Sequence, residues 1–267
     1  MGQANTLIGT DRRASTKSLI EHLVASISGA SPIETPFYHL KFDHVFPDQF
    51  YDAMLGAMPD ASDYRPMHGR ARKNDLEDGT HTRVKIDLFP EYIRHLPPDK
   101  LAVWRIVGEA LCSAPVKNAF RRRLAPGLEK RFGKDFFSTG MYPIPILTRD
   151  IPGYSIAPHT DTRWKGITVH LYLPPDDSNA DVGTIFHEVL PDGTLRKKTQ
   201  MRFAPNSGYA FAVGSDTWHS ADPVHAGVKT RDSILLTYFV DAGLFMKLRN
   251  RVKRTGNFVL NEIRNRT

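Results

Sequence analysis

The chain has 267 residues, enough to bury a sizeable core in one large or two small domains. Its composition, 40% hydrophobic and 24% charged, is that of a globular protein; no apolar run approaches the ~18 residues of a membrane span and no secretory signal is apparent, which predicts a cytoplasmic protein with no membrane role. The formal charge of +7 points to anionic partners, and the single cysteine, Cys112, excludes an intrachain disulfide.

Residues 1–14 are polar and aperiodic and predict a disordered tail. Ser15 is placed to cap a helix with Leu19, Ile20, Leu23, Val24 and Ile27 at helical spacing, stopped by Gly29 and Ser31-Pro32. Alternation over 35–46 predicts a strand, and Pro47 suits the first turn of a helix running to Met58. Charges and glycines over 59–78 predict a loop, either a flap over a site or a plain surface connection. Thr82–Leu88 alternates with period two and predicts a strand. Helices are predicted over 97–114 and 116–132, parted at Pro115, with the second interrupted at Pro126-Gly127. Residues 15–135 thus read as helical support with outer strands.

From Phe136 the pattern changes to short strands punctuated by Gly and Pro, near 137–147, 153–159, 166–173, 182–190, 194–203, 208–213, 217–223 and 231–241, with a hairpin turn at Pro191-Asp192-Gly193. Eight such strands predict a mostly β fold with supporting α-helices: a double-stranded β-helix, the jelly roll of cupin-like proteins. It would occupy 136–242 of a single domain spanning 1–267, followed by a basic segment at 243–267. Much of the positive charge lies in that tail and in Arg121-Arg122-Arg123 with Lys130 and Arg131. Neither cluster is interleaved with aromatics, which favours a solvated helix face and a basic tail over a nucleic-acid surface.

His159 and Asp161 are one residue apart, so on a strand their side chains share a face. His219 offers a third ligand from beyond several strands; His225 is disfavoured because only a Gly227-containing connection parts it from Arg231. Two histidines and one carboxylate on one side of a metal leave its other positions open, the arrangement of non-haem Fe(II) oxygenases. Arg231, opening the apolar strand 234–240, supplies a guanidinium that can grip a carboxylate bidentately. The remaining histidines, His170 among them, read as surface or packed residues, with His81 and His187 nearest the mouth.

At His159-x-Asp161, His219 and Arg231-x-Ser233 the sequence resembles the 2-oxoglutarate- and Fe(II)-dependent dioxygenase superfamily. The lead-in from Asp150 to Pro158 is similar to that of its prolyl-hydroxylase-like and phytanoyl-hydroxylase-like branches, and Gly183-Thr184 falls where relatives carry a Gly-Gly or Gly-Thr turn. The resemblance implies Fe(II) held by His159, Asp161 and His219, with 2-oxoglutarate as co-substrate and O2 as oxidant. It also implies that Arg231 and Ser233 hold the distal carboxylate of 2-oxoglutarate. Where many relatives place a co-substrate Tyr this chain has Asp150, and Tyr142 or Tyr154 is the candidate replacement.

The implied reaction hydroxylates an unactivated C–H bond while 2-oxoglutarate is decarboxylated to succinate. Halogenating relatives lack the carboxylate present at Asp161; desaturation and cyclisation stay open. Arg163, Trp164 and Lys165, just past the ligand pair, are substrate candidates, and the two cations favour a small polar, amino-acid-like anion. The branch acting on nucleic-acid bases carries a second Arg where this chain has Thr237, which argues against a nucleic-acid substrate. A peptidyl side-chain hydroxylase and a non-catalytic cupin-like metal-binding protein are the alternatives.

Overall fold

The structure is a computed structural model that describes residues 12–67 and 75–241. The expectations for the first eleven residues, for the centre of the 59–78 loop and for the basic tail lie outside the described residues.

Helix α1 (Arg12–Gly29) starts ahead of Ser15, inside the stretch predicted to be disordered, and buries Leu19, Leu23 and Ile27 at helical spacing. The strand predicted over 35–46 shrinks to β2 (His39–Phe42), paired with the short β1 (Ser31–Ile33). Pro36 offers no N–H for a ladder, and His44 turns the chain away with a φ of 54°. Pro47 precedes α2 (Asp48–Gly56) as its N-cap; β3 (Arg65–Pro66), β4 (Arg83–Asp87) and a one-turn helix α3 (Pro90–Ile93) follow.

Three helices then form the support: α4 (Pro98–Leu111), α5 (Ala114–Arg123) and α6 (Ala125–Phe132). Ser113 caps α5, its hydroxyl accepting from the Val116 N–H at 3.4 Å. The break in the predicted second helix falls at Leu124 rather than at Pro126-Gly127, because Pro126 sits in the first turn of α6, where no N–H is needed.

The eight predicted strands are all present: β5 (Met141–Asp150), β6 (Ile156–His159), β7 (Lys165–Tyr172), β8 (Ile185–Val189), β9 (Leu195–Gln200), β10 (Gly208–Ala212), β11 (His219–Ala221) and β12 (Arg231–Val240). They are dealt between two antiparallel sheets. One runs β1-β2-β10-β7-β12-β5-β4-β3 and the other β6-β11-β8-β9, so the chain crosses repeatedly from sheet to sheet. That is the double-stranded β-helix, with β1 to β4 extending its larger sheet at both edges.

Strand alternation divides the core. Ile167, Val169 and Leu171 of β7 and Ile234, Leu236 and Tyr238 of β12 face α1 and α4–α6 and form the larger apolar cluster, with Trp104 fully buried in it. The opposite face of the same strands turns toward the smaller sheet, where Phe37, Phe186, Phe203, Tyr209 and Phe211 fill one end of the barrel.

The helical arginines contribute to this support. Arg121 Nη2 donates to the carbonyls of Phe136 and Thr139, Arg123 Nη2 to that of Ala30, and the Arg131 guanidinium to those of Arg163, Lys165 and Val213. Much of the cluster expected to be a solvated face thus pins loops onto the barrel.

Candidate metal and co-substrate site

The open end of the barrel holds a cavity of about 410 Å3 whose wall includes His159, Asp161, His219 and Arg231. His159 ends β6 and His219 begins β11, and the two are directly paired across the ladder of the smaller sheet. Their rings stand 4.3 Å apart, centroid to centroid. With Asp161, two residues past His159, they offer one ligand atom each, all within 4.8 Å of one another.

Both imidazoles are oriented by the backbone. His159 Nδ1 lies 2.9 Å from the Ala157 carbonyl and His219 Nδ1 3.0 Å from that of Thr217. A carbonyl only accepts, so Nδ1 carries a proton in each ring, and Nε2 is the atom each ring would turn to a metal. Asp161 is fixed by Lys165 Nζ at 2.7 Å on Oδ1 and by the Thr168 hydroxyl at 2.6 Å on Oδ2. Burial alone would raise its carboxyl; the Lys165 ammonium, the His219 ring and these hydrogen bonds overcome that and draw its pKa down to about 2. An ionised carboxylate beside two imidazoles, each able to turn a ring nitrogen to a metal, fits Fe(II) and leaves coordination positions open. Among the described residues no other cluster of this kind is present.

The second half of the site is a row of charges on the larger sheet. Register sets Asp150 of β5 opposite Arg83 of β4 on one side and Arg231 of β12 on the other. Asp150 is fully buried; Arg83 grips it with Nε at 2.5 Å and Nη2 at 2.8 Å. Arg231, 1% exposed, only approaches it, with Nε 3.4 Å from Oδ2. Arg231 Nε and Nη1 are buried without a hydrogen-bond partner. The Tyr154 ring lies 4.0 Å from the Arg83 guanidinium carbon and 5.8 Å from that of Arg231. Buried donors without acceptors are costly, and Arg231 lines a cavity of the right size for a small dicarboxylate.

A double-stranded β-helix with a His-x-Asp…His triad at its mouth is now in view. This is the architecture and ligand set that the resemblance to the 2-oxoglutarate- and Fe(II)-dependent dioxygenases implied. Solved structures similar to this chain include a prolyl-4-hydroxylase from Pseudomonas putida (TM-score 0.48, 13% identity, covering 82% of this chain and 98% of that one). Others are a Trichoplax adhaerens prolyl hydroxylase in complex with a hypoxia inducible factor peptide (0.47, 10%, 86% and 93%) and a 2OG-Fe(II) oxygenase-family oxidoreductase from Burkholderia pseudomallei (0.43, 13%, 82% and 89%). No family model and no curated protein matches the sequence.

The predicted site residues are not all brought together. His159, Asp161, His219, Arg231, Tyr154 and Lys165 line the cavity. Ser233 is fully buried behind it, its hydroxyl 2.7 Å from His170 Nε2 and 2.9 Å from the Thr148 hydroxyl. Tyr142 stacks on Phe239 at the other end of β5, roughly 26 Å along the strand from Asp150. Arg163 and Trp164 stack on each other at the exposed rim, outside the cavity wall.

The cavity also takes in Arg83, Thr168, His170, Thr184 and Tyr209, none of which the sequence reading put forward as a site residue. Their signal was present: in Ile167-Thr168-Val169-His170-Leu171-Tyr172 the polar residues share the face opposite the apolar ones. Burial, reinforced by Arg231 and Arg83, drives the His170 pKa well below its usual value, so this ring is neutral. Its Nδ1 is 3.0 Å from the Tyr209 hydroxyl, which donates to Thr184 Oγ1 at 2.9 Å. Burial also holds the Tyr209 phenol well above its usual pKa. No helix among the described residues is long and apolar enough to cross a membrane.

Proposed function

We propose that this protein is an Fe(II)- and 2-oxoglutarate-dependent oxygenase that hydroxylates an unactivated C–H bond of a small polar metabolite, converting 2-oxoglutarate and O2 to succinate and CO2. The observation that carries the reading is one cavity holding three convergent metal-competent side chains and a buried arginine with two unsatisfied donors.

His159 and His219 would hold Fe(II) through Nε2, and Asp161 through its carboxylate. Fe(II) supplies the activation of O2 when bound, a chemistry no side chain provides. The protein supplies placement. Arg231 takes the distal carboxylate of 2-oxoglutarate in a charge-assisted bidentate contact, with the Tyr154 ring beside it. Lys165 and Thr168 hold Asp161 ionised and fixed in rotation. Neutral His170 adds no charge, and its bonds to Tyr209 and Ser233 keep the cavity floor rigid. Met67, Ile156 and Leu235 add apolar surface to the cavity lining.

The volume lies within the range of small-molecule sites, which favours a metabolite over a peptide lying in a long groove. Of the three substrate candidates Lys165 alone reaches the wall, and Asp161 neutralises its charge, so anionic character in the substrate rests on that one contact. The test is a panel of amino-acid derivatives, other small metabolites and peptides, incubated with Fe(II)-loaded protein, 2-oxoglutarate and O2. A product heavier by one oxygen from a small molecule supports the reading. Oxidation of peptides alone replaces it with a peptidyl hydroxylase, and tight metal binding with no 2-oxoglutarate consumption replaces it with a non-catalytic metal protein.

A further inference from the structure

The Arg83–Asp150–Arg231 row is asymmetric in a way that register does not require. Asp150 stands opposite both arginines on its flanking strands, so either could take the bidentate grip. Arg83 takes it, occupying both carboxylate oxygens at 2.5 and 2.8 Å. Arg231 is left with Nε and Nη1 unbonded in a buried setting, 3.4 Å from the nearest oxygen. Asp150, fully buried beside Arg231, is therefore the natural competitor for the guanidinium that the proposed co-substrate needs.

We infer that Arg83 is a positioning residue of the co-substrate site: by holding Asp150 bidentately it keeps the donors of Arg231 free for an incoming carboxylate. The inference rests on the reading of Arg231 as the 2-oxoglutarate clamp. Packing reinforces the hold, since the Arg83 guanidinium carbon lies 4.0 Å over the Tyr154 ring. Burial would lower the Arg83 pKa, but Asp150 beside it raises it above its usual value, so the Arg83 guanidinium stays charged. With Arg83 gone, the least costly arrangement turns Asp150 onto Arg231, and the site becomes self-neutralised.

This makes a prediction whose sign is unusual. Arg83→Met should weaken 2-oxoglutarate binding at least about tenfold, and adding Asp150→Asn should restore it to within about threefold of the wild type, because the competitor has been removed. The measurement is calorimetric titration of 2-oxoglutarate into the Mn(II)-loaded full chain, with Arg231→Met as the control. In turnover the KM for 2-oxoglutarate should rise in Arg83→Met while kcat at saturating 2-oxoglutarate stays near wild type, a split that a general loss of structure would not give. Should Arg83→Met fail to fold, Arg83→Lys carries the test, keeping the charge but losing the fork; it should bind about threefold to tenfold more weakly and again be rescued by Asp150→Asn.

Binding by Arg83→Met or Arg83→Lys within twofold of wild type overturns the inference. So does a double variant no better than the single, which would mean that Arg83 contacts the co-substrate itself. If wild-type protein does not bind 2-oxoglutarate, or binds it independently of Arg231, the functional reading fails instead.

Discussion

Replacing Arg231 by Met separates stability from function in opposite directions. The guanidinium is 1% exposed, and two of its nitrogens have no acceptor. Each unsatisfied buried donor costs about 1–3 kcal/mol, and an uncompensated charge adds to that. Against this stands the attraction to Asp150 across 3.4 Å, already weakened because Arg83 holds the same carboxylate. Met fills comparable volume without polar atoms, so the variant should be more stable than wild type by about 1–3 kcal/mol in the absence of ligand. Differential scanning calorimetry should show a rise of roughly 2–4 °C per kcal/mol. The same change removes the charge-assisted contact to a desolvated carboxylate, about 2–4 kcal/mol, which corresponds to a rise in the 2-oxoglutarate Kd of roughly 30-fold to 1000-fold. Titration of the Mn(II)-loaded protein measures it. A variant that melts lower than wild type and still binds 2-oxoglutarate normally would refute both halves of the reasoning.

Three further outcomes follow from particular contacts. His159→Ala and Asp161→Ala should each abolish Fe(II) binding and turnover while leaving the far-ultraviolet spectrum unchanged; retained metal-dependent activity in either would contradict the ligand assignment. Gly183→Ala would set a Cβ 1.5 Å from the Met201 carbonyl oxygen and 2.7 Å from its carbon, backbone atoms that cannot step aside alone. It should destabilise the smaller sheet by about 3 kcal/mol in a urea titration, and a neutral result would mean that the two segments are not in this contact. Lys85, desolvated and beside Arg65, has its ammonium pKa lowered to about 8, burial prevailing over Asp87 at 3.1 Å. Its charged form is disfavoured in the folded chain, so the penalty is full below pH 8 and disappears as pH rises toward 10.5, the unfolded value. Lys85→Met should therefore stabilise the protein by about 2 kcal/mol at pH 7 and by almost nothing above pH 10.5; a gain independent of pH would assign it to packing.

The strands and the triad were legible because both depend on short-range pattern. Period-two alternation and Gly or Pro punctuation located all eight barrel strands, and the single-residue spacing of His159 and Asp161 put them on one side of a strand end. Helix ends were less legible. A proline signals either a break or a first turn, and Pro126 proved to be the second kind, with the break two residues earlier at Leu124. The basic cluster of α5 and α6 was misread as solvated because carbonyl acceptors such as those of Phe136, Thr139 and Ala30 have no sequence signature. The Arg83–Asp150–Arg231 row is non-local in the same way. Its members come from three strands, and only the register of β4, β5 and β12 reveals that the aspartate at the position of an expected tyrosine lies between two guanidinium groups. Tyr142 and Tyr154 were equivalent candidates by type; eight residues of strand separate Tyr142 from the charge row, whereas Tyr154 stacks on it.

The most direct test is succinate formation by anaerobically Fe(II)-loaded protein supplied with 2-oxoglutarate and then O2, in the absence of any other substrate. Slow turnover is expected, absent in Asp161→Ala and strongly reduced in Arg231→Met at low 2-oxoglutarate. Succinate formed equally by wild type and Asp161→Ala, or none formed by a wild type that binds Fe(II) tightly, would contradict the account.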